Sequence, residues 1–233
     1  MIEGWLALEA ALASPYELLS VLVLKRRSRE LEGLPMPARV PVYAATRQVM
    51  NEVAGFDVHR GLLAAAARLP PLRVAELLAG GLRSPVVVVE GVNDQENLGS
   101  LFRNCAAFGV GAVLMDPTCA DPLYRRTVRV SLGWVLRVPF ARLEPWPGSL
   151  GLLAAHGFAL LALTPRPGAE TVEQVSGELW GQKVALVVGS ERHGLTCPVL
   201  EACRPVRVPM AAGVDSLNVA AASAVALHRF SSV

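Results

Sequence analysis

Val86-Val87-Val88-Val89-Glu90-Gly91-Val92-Asn93-Asp94-Gln95-Glu96-Asn97-Leu98-Gly99-Ser100-Leu101-Phe102-Arg103 passes from a β-branched apolar run, through a polar loop, into a second apolar run. Four consecutive valines read as a strand buried on both faces. Residues 98–108 read as the helix that follows, stopped by Gly109. The same order recurs twice. Leu186-Val187-Val188 leads into Gly189-Ser190-Glu191-Arg192-His193-Gly194-Leu195, and Val206-Arg207-Val208-Pro209-Met210 leads to Asp215-Ser216-Leu217-Asn218-Val219. Strands alternating with helices imply an α/β fold, with a mostly parallel sheet covered on both faces. Such sheets bind ligands just outside the carboxyl ends of their strands, where all three polar loops fall.

The flanking sequence extends the pattern. A helix is expected over 3–13, a strand over 18–24, a charged loop over 25–39, a strand over 42–45, and a helix from an N-cap at Thr46 to Gly55. Residues 61–67 suit either strand or helix. A short helix over 73–78 runs into Gly80-Gly81, with Ser84-Pro85 beyond, and a domain boundary is expected there. Further on, 112–115, 136–140, 158–163, 183–188 and 206–208 read as extended, and 122–132, 149–155 and 216–230 as helical.

The chain has 233 residues, of which 52% are hydrophobic, so a large core is available to one large domain or two small ones. A formal net charge of +2 excludes a uniformly basic, histone-like protein. Basic residues nevertheless cluster at Lys25, Arg26, Arg27 and Arg29, and at Arg125, Arg126, Arg129 and Arg137. Such clusters either hold a polyanion locally or are simply solvated faces. Cys105, Cys119, Cys197 and Cys203 lack paired metal-ligand spacing, so reduced thiols in a cytoplasmic protein and no metal are expected. No segment has the run of about 18 apolar residues that a membrane helix needs. Residues 1–24 lack the positive leading region of a secretory signal and carry Glu3 and Glu9.

The loops suggest chemistry of different strengths. Asn97 at the start of its helix is a natural N-cap, and Ser216 is a natural cap for the last helix. Arg103 lies among Leu101, Phe102 and Ala106, and an Arg among core-facing residues requires an anionic partner. Gly189 would admit a ligand close to the backbone, with Glu191 binding a hydroxyl or an Arg; the alternative is a bare turn. Asn218, inside the first turn of the last helix, suggests a polar contact. There is no Gly-x-Gly-x-x-Gly, no Gly-Lys-Ser/Thr and no Gly-x-Ser-x-Gly, which argues against a dinucleotide site, a phosphate loop and a hydrolase nucleophile.

Taken in order, Asn97-Leu98-Gly99-Ser100-Leu101-Phe102-Arg103, Gly189-Ser190-Glu191-Arg192-His193-Gly194, and Val208-Pro209-Met210 with Ser216-Leu217-Asn218-Val219 resemble the SpoU family of RNA ribose 2′-O-methyltransferases, in the SPOUT superfamily. Residues 121–133 resemble the segment between the family's first two motifs, and the likeness covers about 84–230. The resemblance implies a Rossmann-like sheet with a C-terminal deep trefoil knot, an exception to the rule against knots. It implies S-adenosylmethionine in the knot and a homodimer with the active site at the subunit interface. Leu163, Thr164, Gly189, Val208, Met210 and Leu217 would line the cofactor. Asn97, Arg103, Glu191, Ser216 and Asn218 would form the catalytic and ribose site. Residues 1–80 resemble, through Glu3-Gly4-Trp5 and Gly55-Phe56-Asp57, an L30e-like RNA-binding domain, N-terminally abbreviated because the chain starts so near Glu3. Residues 81–233 would be the methyltransferase domain. Arg26, Arg27, Arg125 and Arg126 are the expected RNA contacts. The RNA partner implied is 23S rRNA, with transfer RNA or a non-catalytic ribosome-assembly role as alternatives.

Overall fold

The structure is a computed structural model and describes residues 1–231. The chain forms two compact units, one of 1–70 with 122–137, the other of 71–121 with the residues from 138 onward. The expected boundary lay at Gly80-Gly81. The structure sets it ten residues earlier, at Pro70-Pro71, because Val74, Leu78 and Leu82 belong to the core of the second unit.

The first unit contains β1 (Ile2–Glu3), α1 (Trp5–Leu12), β2 (Leu18–Leu24), β3 (Val42–Ala45), α2 (Arg47–Ala54) and β4 (Leu62–Ala66). Its sheet has the order β1-β4-β2-β3, with β2 and β3 parallel and the other pairs antiparallel. Thr46 caps α2 by accepting from the Val49 amide at 3.4 Å, and Gly55 ends it in the left-handed region, both as expected. Lys25–Gly33, expected as a loop, is wound into 3-10 turns. Leu24, Met50, Val58 and Leu63 form one buried cluster of its core, and Ile2, Leu8, Val21, Val23 and Leu62 are buried too.

The second unit continues with α3 (Val74–Ala79), β5 (Val86–Glu90), α4 (Gln95–Ala107) and β6 (Val113–Met115). The chain then returns to the first unit as α5 (Arg125–Val130) and a 3-10 turn at Trp134–Leu136. Extended structure was expected over 136–140. The strand begins only at Phe140, after the 3-10 turn, and the chain turns before it at Gly133, φ 82°, where a Cβ would lie 2.5 Å from the Ala10 Cβ of α1. Only a glycine lets the turn press that closely against the helix.

Glu3 anchors the same segment. It is 2% exposed and pairs with Arg125, with Arg129 Nη1 at 3.7 Å. Arg125 also lies 3.7 Å from the centroid of the Phe56 ring. Arg27 binds Glu30 at 2.6 Å, donates to the Arg60 carbonyl at 3.1 Å and lies 4.7 Å from the Trp5 ring centroid. Arg27 and Arg125 are half-buried, and Arg26 and Arg126 are exposed.

The second unit is completed by β7 (Phe140–Arg142), α6 (Leu150–Ala155), β8 (Phe158–Leu163), β9 (Glu170–Thr171), α7 (Val172–Glu178), β10 (Lys183–Gly189), α8 (Cys197–Ala202), β11 (Arg204–Arg207) and α9 (Val219–Phe230). Its seven strands are all parallel, in the order β7-β6-β5-β10-β8-β11-β9. Val86, Val87, Val88 and Val89 are each 0% exposed, so the valine run is an interior strand, between β6 and β10, covered on both faces. Each such side chain contributes roughly 1.5–3 kcal/mol on burial. The sequence reading missed α7. Its start is a capping box, in which Thr171 accepts from the Gln174 amide and the Gln174 side chain accepts from the Thr171 amide. Among the described residues no helix is long and apolar enough to cross a membrane.

Cys105, Cys119 and Cys203 are buried free thiols and Cys197 is exposed. Burial, helped by Asp116, pushes the Cys119 thiol up from 9.0 to about 12, and burial pushes Cys203 to about 11. Iodoacetamide should therefore label one thiol per native chain at pH 8, at Cys197, and four after denaturation, as read by intact mass. The native state keeps protons that unfolded thiols release. Stability should thus be full below about pH 9 and fall as pH rises towards 12, in urea titrations.

Arg125→Ala leaves Glu3 buried with only the more distant Arg129. It should lower stability by about 2–4 kcal/mol in chemical denaturation, near the range for breaking a buried ion pair. Arg26→Ala, at an exposed position, should change it by less than about 0.5 kcal/mol.

Candidate functional site

Parallel strands of the second unit end together, so the loops after them converge. Between the loops after β8, β10 and β11 lies a cleft of about 370 Å³. Leu163, Thr164, Pro165 and Arg166 line it from the first loop and 189–195 from the second. Val208, Met210, Ser216 and Leu217 line it from the third, with Val219 and Ala222 of α9. All six residues expected to hold a cofactor, Leu163, Thr164, Gly189, Val208, Met210 and Leu217, line this one cleft. Arg166, Arg192 and His193 line it too and were not singled out from sequence.

Gly189, besides lining the cleft, shapes the loop itself. A Cβ there would meet the Gly194 carbonyl carbon at 2.3 Å and the Leu195 nitrogen at 2.7 Å. The loop folds back on itself through the bridge between Ser190 and Gly194, and its backbone fills the space a Cβ on Gly189 would take. Gly189 is needed for the loop to close.

Two capping assignments also change. Asp94 caps α4, accepting from the Glu96 and Asn97 amides at 2.9 and 2.8 Å. Asn97 is thereby moved inside the first turn. Asn218 caps α9, accepting from the Ala220 and Ala221 amides at 3.0 and 3.2 Å, and Ser216 lies before the helix on the cleft wall. The displaced Asn97 gains a different role. Asn218 Nδ2 donates to Asn97 Oδ1 at 2.7 Å and to Glu191 Oε1 at 2.6 Å. One amide therefore ties the loops after β5, β10 and β11 together while capping a helix, using its full hydrogen-bonding capacity on the nitrogen.

Arg103 departs from its expectation. It is exposed and does not line the cleft. The reason is angular. Leu98, Leu101, Phe102 and Cys105 form the buried stripe of α4 at spacings of three and four residues, and Arg103 falls outside it.

Glu90, unassigned by the sequence reading, ends β5 at 5% exposure. It accepts from the Thr196 amide, the Thr196 hydroxyl and Trp146 Nε1, each at 2.8 Å. Asp116 does the same work at the end of β6, accepting from Gly91 and Cys119 amides and the Thr118 hydroxyl. The signal for Glu90 was a single acidic residue directly after four valines. Among the described residues there is no cluster of three or more His, Cys, Asp or Glu placed to hold a metal.

A ligand cleft at the carboxyl ends of a parallel sheet, framed by three polar loops, defines an α/β protein that binds a small molecule there. The profile of the SpoU rRNA Methylase family matches residues 84–228. An uncharacterized tRNA/rRNA methyltransferase of Mycobacterium tuberculosis is 45% identical over 227 residues, covering 97% of this chain and 78% of that protein. The 23S rRNA (guanosine-2′-O-)-methyltransferase of Haemophilus influenzae is 31% identical over 222 residues, covering 92% and 89%. The crystal structure of a SpoU methyltransferase from Streptomyces viridochromogenes in complex with S-adenosylmethionine has the same fold, with a TM-score of 0.77, 21% identity and coverage of 97% and 87%. The chain belongs to the SpoU family. It is an RNA methyltransferase, and its cofactor is S-adenosylmethionine.

Gly189→Ala should distort the loop. We expect cofactor affinity by calorimetry to fall at least tenfold, and stability to fall by about 1–3 kcal/mol, the usual cost of overpacking.

Proposed function

We propose that the chain transfers a methyl group to the ribose 2′-hydroxyl of a nucleotide in structured RNA, with 23S rRNA as the substrate. The carrying observation is the Asn97–Asn218–Glu191 link beside a cleft whose wall includes Ser216. The named activity of the Haemophilus influenzae relative supports both the 2′-oxygen and the rRNA.

The cleft suits S-adenosylmethionine. Its volume falls in the usual range for small-molecule sites, about 300–1,000 Å³. Leu163, Leu195, Leu200, Val208 and Leu217 give an apolar surface for a purine, and Glu191 and Ser216 offer oxygen atoms for hydroxyl and ammonium groups. When bound, the cofactor supplies a methyl already activated by its sulfonium centre. The chain has to orient the ribose hydroxyl, exclude water and favour loss of its proton. Asn218 holds the loops in register for that task. A guanidinium has five donors and no acceptor, so Arg103 is assigned to stabilising negative charge on the 2′-oxygen.

The proposal includes the trefoil knot of the family around the loops after β8, β10 and β11. It also includes a homodimer, supported by the exposure of Arg103 away from the cleft of its own chain. A partner's α4 would then present Arg103 to the cleft. Residues 1–70 with 122–137 would serve as the L30e-like RNA-binding unit, with the exposed Arg26 and Arg126 among its contacts. An rRNA substrate entails a cytoplasmic location.

Tritiated methyl transfer into separated rRNA and tRNA tests the reading, with alkaline hydrolysis to locate label on ribose. Ribose label in 23S rRNA is expected. Label in tRNA alone, or on a base, overturns the substrate or the site. Arg103→Ala should reduce turnover at least a hundredfold, the scale of a lost charge-stabilising donor, with cofactor affinity within twofold of wild type. Co-expressed Arg103→Ala and Gly189→Ala chains should regain activity above either variant alone, because one mixed site keeps both residues. No recovery would sink the shared site.

A further inference from the structure

A second surface lies at the opposite end of the sheet from the cleft. The turn Leu179-Trp180-Gly181-Gln182 joins α7 to β10, and Gly181 adopts φ 77°. This turn, the start of β10 and the end of α9 enclose a hollow of about 230 Å³. Trp180 stands on its rim at 82% exposure. Lys183 and Arg229 line the hollow with it, together with the polar side chains of Ser84, Ser176 and Gln182.

The chemistry of this rim narrows what it fits. An aromatic ring left in water forgoes roughly 2 kcal/mol of burial. A protein-docking face would surround such a ring with exposed apolar side chains. Here Val184 is buried, Leu179 and Phe230 are half-buried, and the exposed side chains are cationic or polar. A flat π-surface beside fixed positive charge is the arrangement that stacks an unpaired base and holds its phosphates. The nearby carboxylates do not cancel the charge. Glu178 is taken by Arg204 at 2.7 Å, and Glu173 meets only the Nε of Arg229, at 3.6 Å. An exposed pair of that length is weak enough for a phosphate to displace. Lys183 is exposed, with its Nζ 5.3 Å from the Phe158 ring centroid.

We propose that this surface is a second RNA contact, in which Trp180 stacks on an unpaired base and Lys183 and Arg229 bind adjoining phosphates. The proposal rests on RNA being the substrate. β10 connects the two sites, with Lys183 at one end and Gly189 at the cleft. Six steps of about 3.3 Å place them roughly 20 Å apart. A mononucleotide cannot touch both sites, but a structured RNA can. The contact therefore favours a folded substrate over a short one.

Filter binding of the full chain to protein-free 23S rRNA tests this, alongside methyl transfer at saturating RNA. Trp180→Ala should weaken rRNA binding about 5–30-fold, the scale of one lost base stack. Trp180→Phe should keep most of the affinity. Turnover at saturating RNA and cofactor affinity should match wild type in both. Lys183→Ala and Arg229→Ala should each lower the slope of log affinity against log salt by about one. Unchanged affinity and salt slope in all these variants would overturn the contact while leaving methyl transfer intact. Wild-type protein that binds no RNA would overturn both. A change of oligomeric state in Trp180→Ala, seen by sedimentation, would instead make this face a subunit contact and sink the proposal.

Discussion

Glu90 ends β5, an interior strand of the large sheet, as a side chain with almost no access to water. Burying a carboxylate charge costs several kcal/mol. Three hydrogen bonds, from the Thr196 amide and hydroxyl and from the Trp146 indole, offset it at about 1.5–3 kcal/mol each. The two sides nearly balance, so the gain lies in placement more than in stability. The exit of the β10 loop at Thr196 and the segment before α6 at Trp146 are held to one point at the end of β5. Because a buried acceptor left unpaired is costly, the arrangement tolerates little drift. The cleft wall at 189–195 depends on that point at its far end and on Gly189 at its near end.

On that frame, one amide coordinates the mouth of the cleft. Asn218 caps α9 and joins Asn97 to Glu191, so the last helix cannot start elsewhere without loosening the other two loops. The capping residues expected from sequence were good choices by type, and the true caps, Asp94 and Asn218, belong to the same residue class. What moved them was the point at which each chain leaves extended geometry, which neighbouring loops decide. The arginines show the same dependence. In the two basic clusters, Arg27 and Arg125 are half-buried against carboxylates and rings, and Arg26 and Arg126 keep more of their surface in water.

Much of the fold was legible along the chain. The strands Leu18–Leu24, Val42–Ala45 and Phe158–Leu163 fall where apolar runs and flanking breakers put them, as does the helix between Thr46 and Gly55. The stretch expected as extended over 136–140 becomes a strand only at Phe140, because the chain before it closes a 3-10 turn at Trp134–Leu136, set by the approach of Gly133 to α1, which local pattern does not show. Of the site, the cleft-lining residues were legible because strand-end loops of a parallel sheet converge by topology. The orientation of Arg103 was not, since it turns on which face of α4 meets the core.

The sequence by itself determined the parallel α/β architecture, the three loops and the motif residues that mark the family, because periodicity and strand-end chemistry are local. Only the tertiary structure decided which of those residues meet. Glu90, Asn218 and Glu3 take their roles from partners 106, 121 and 122 positions away. Buried polar groups must find such partners, and the chain path that supplies them is a property of the whole fold.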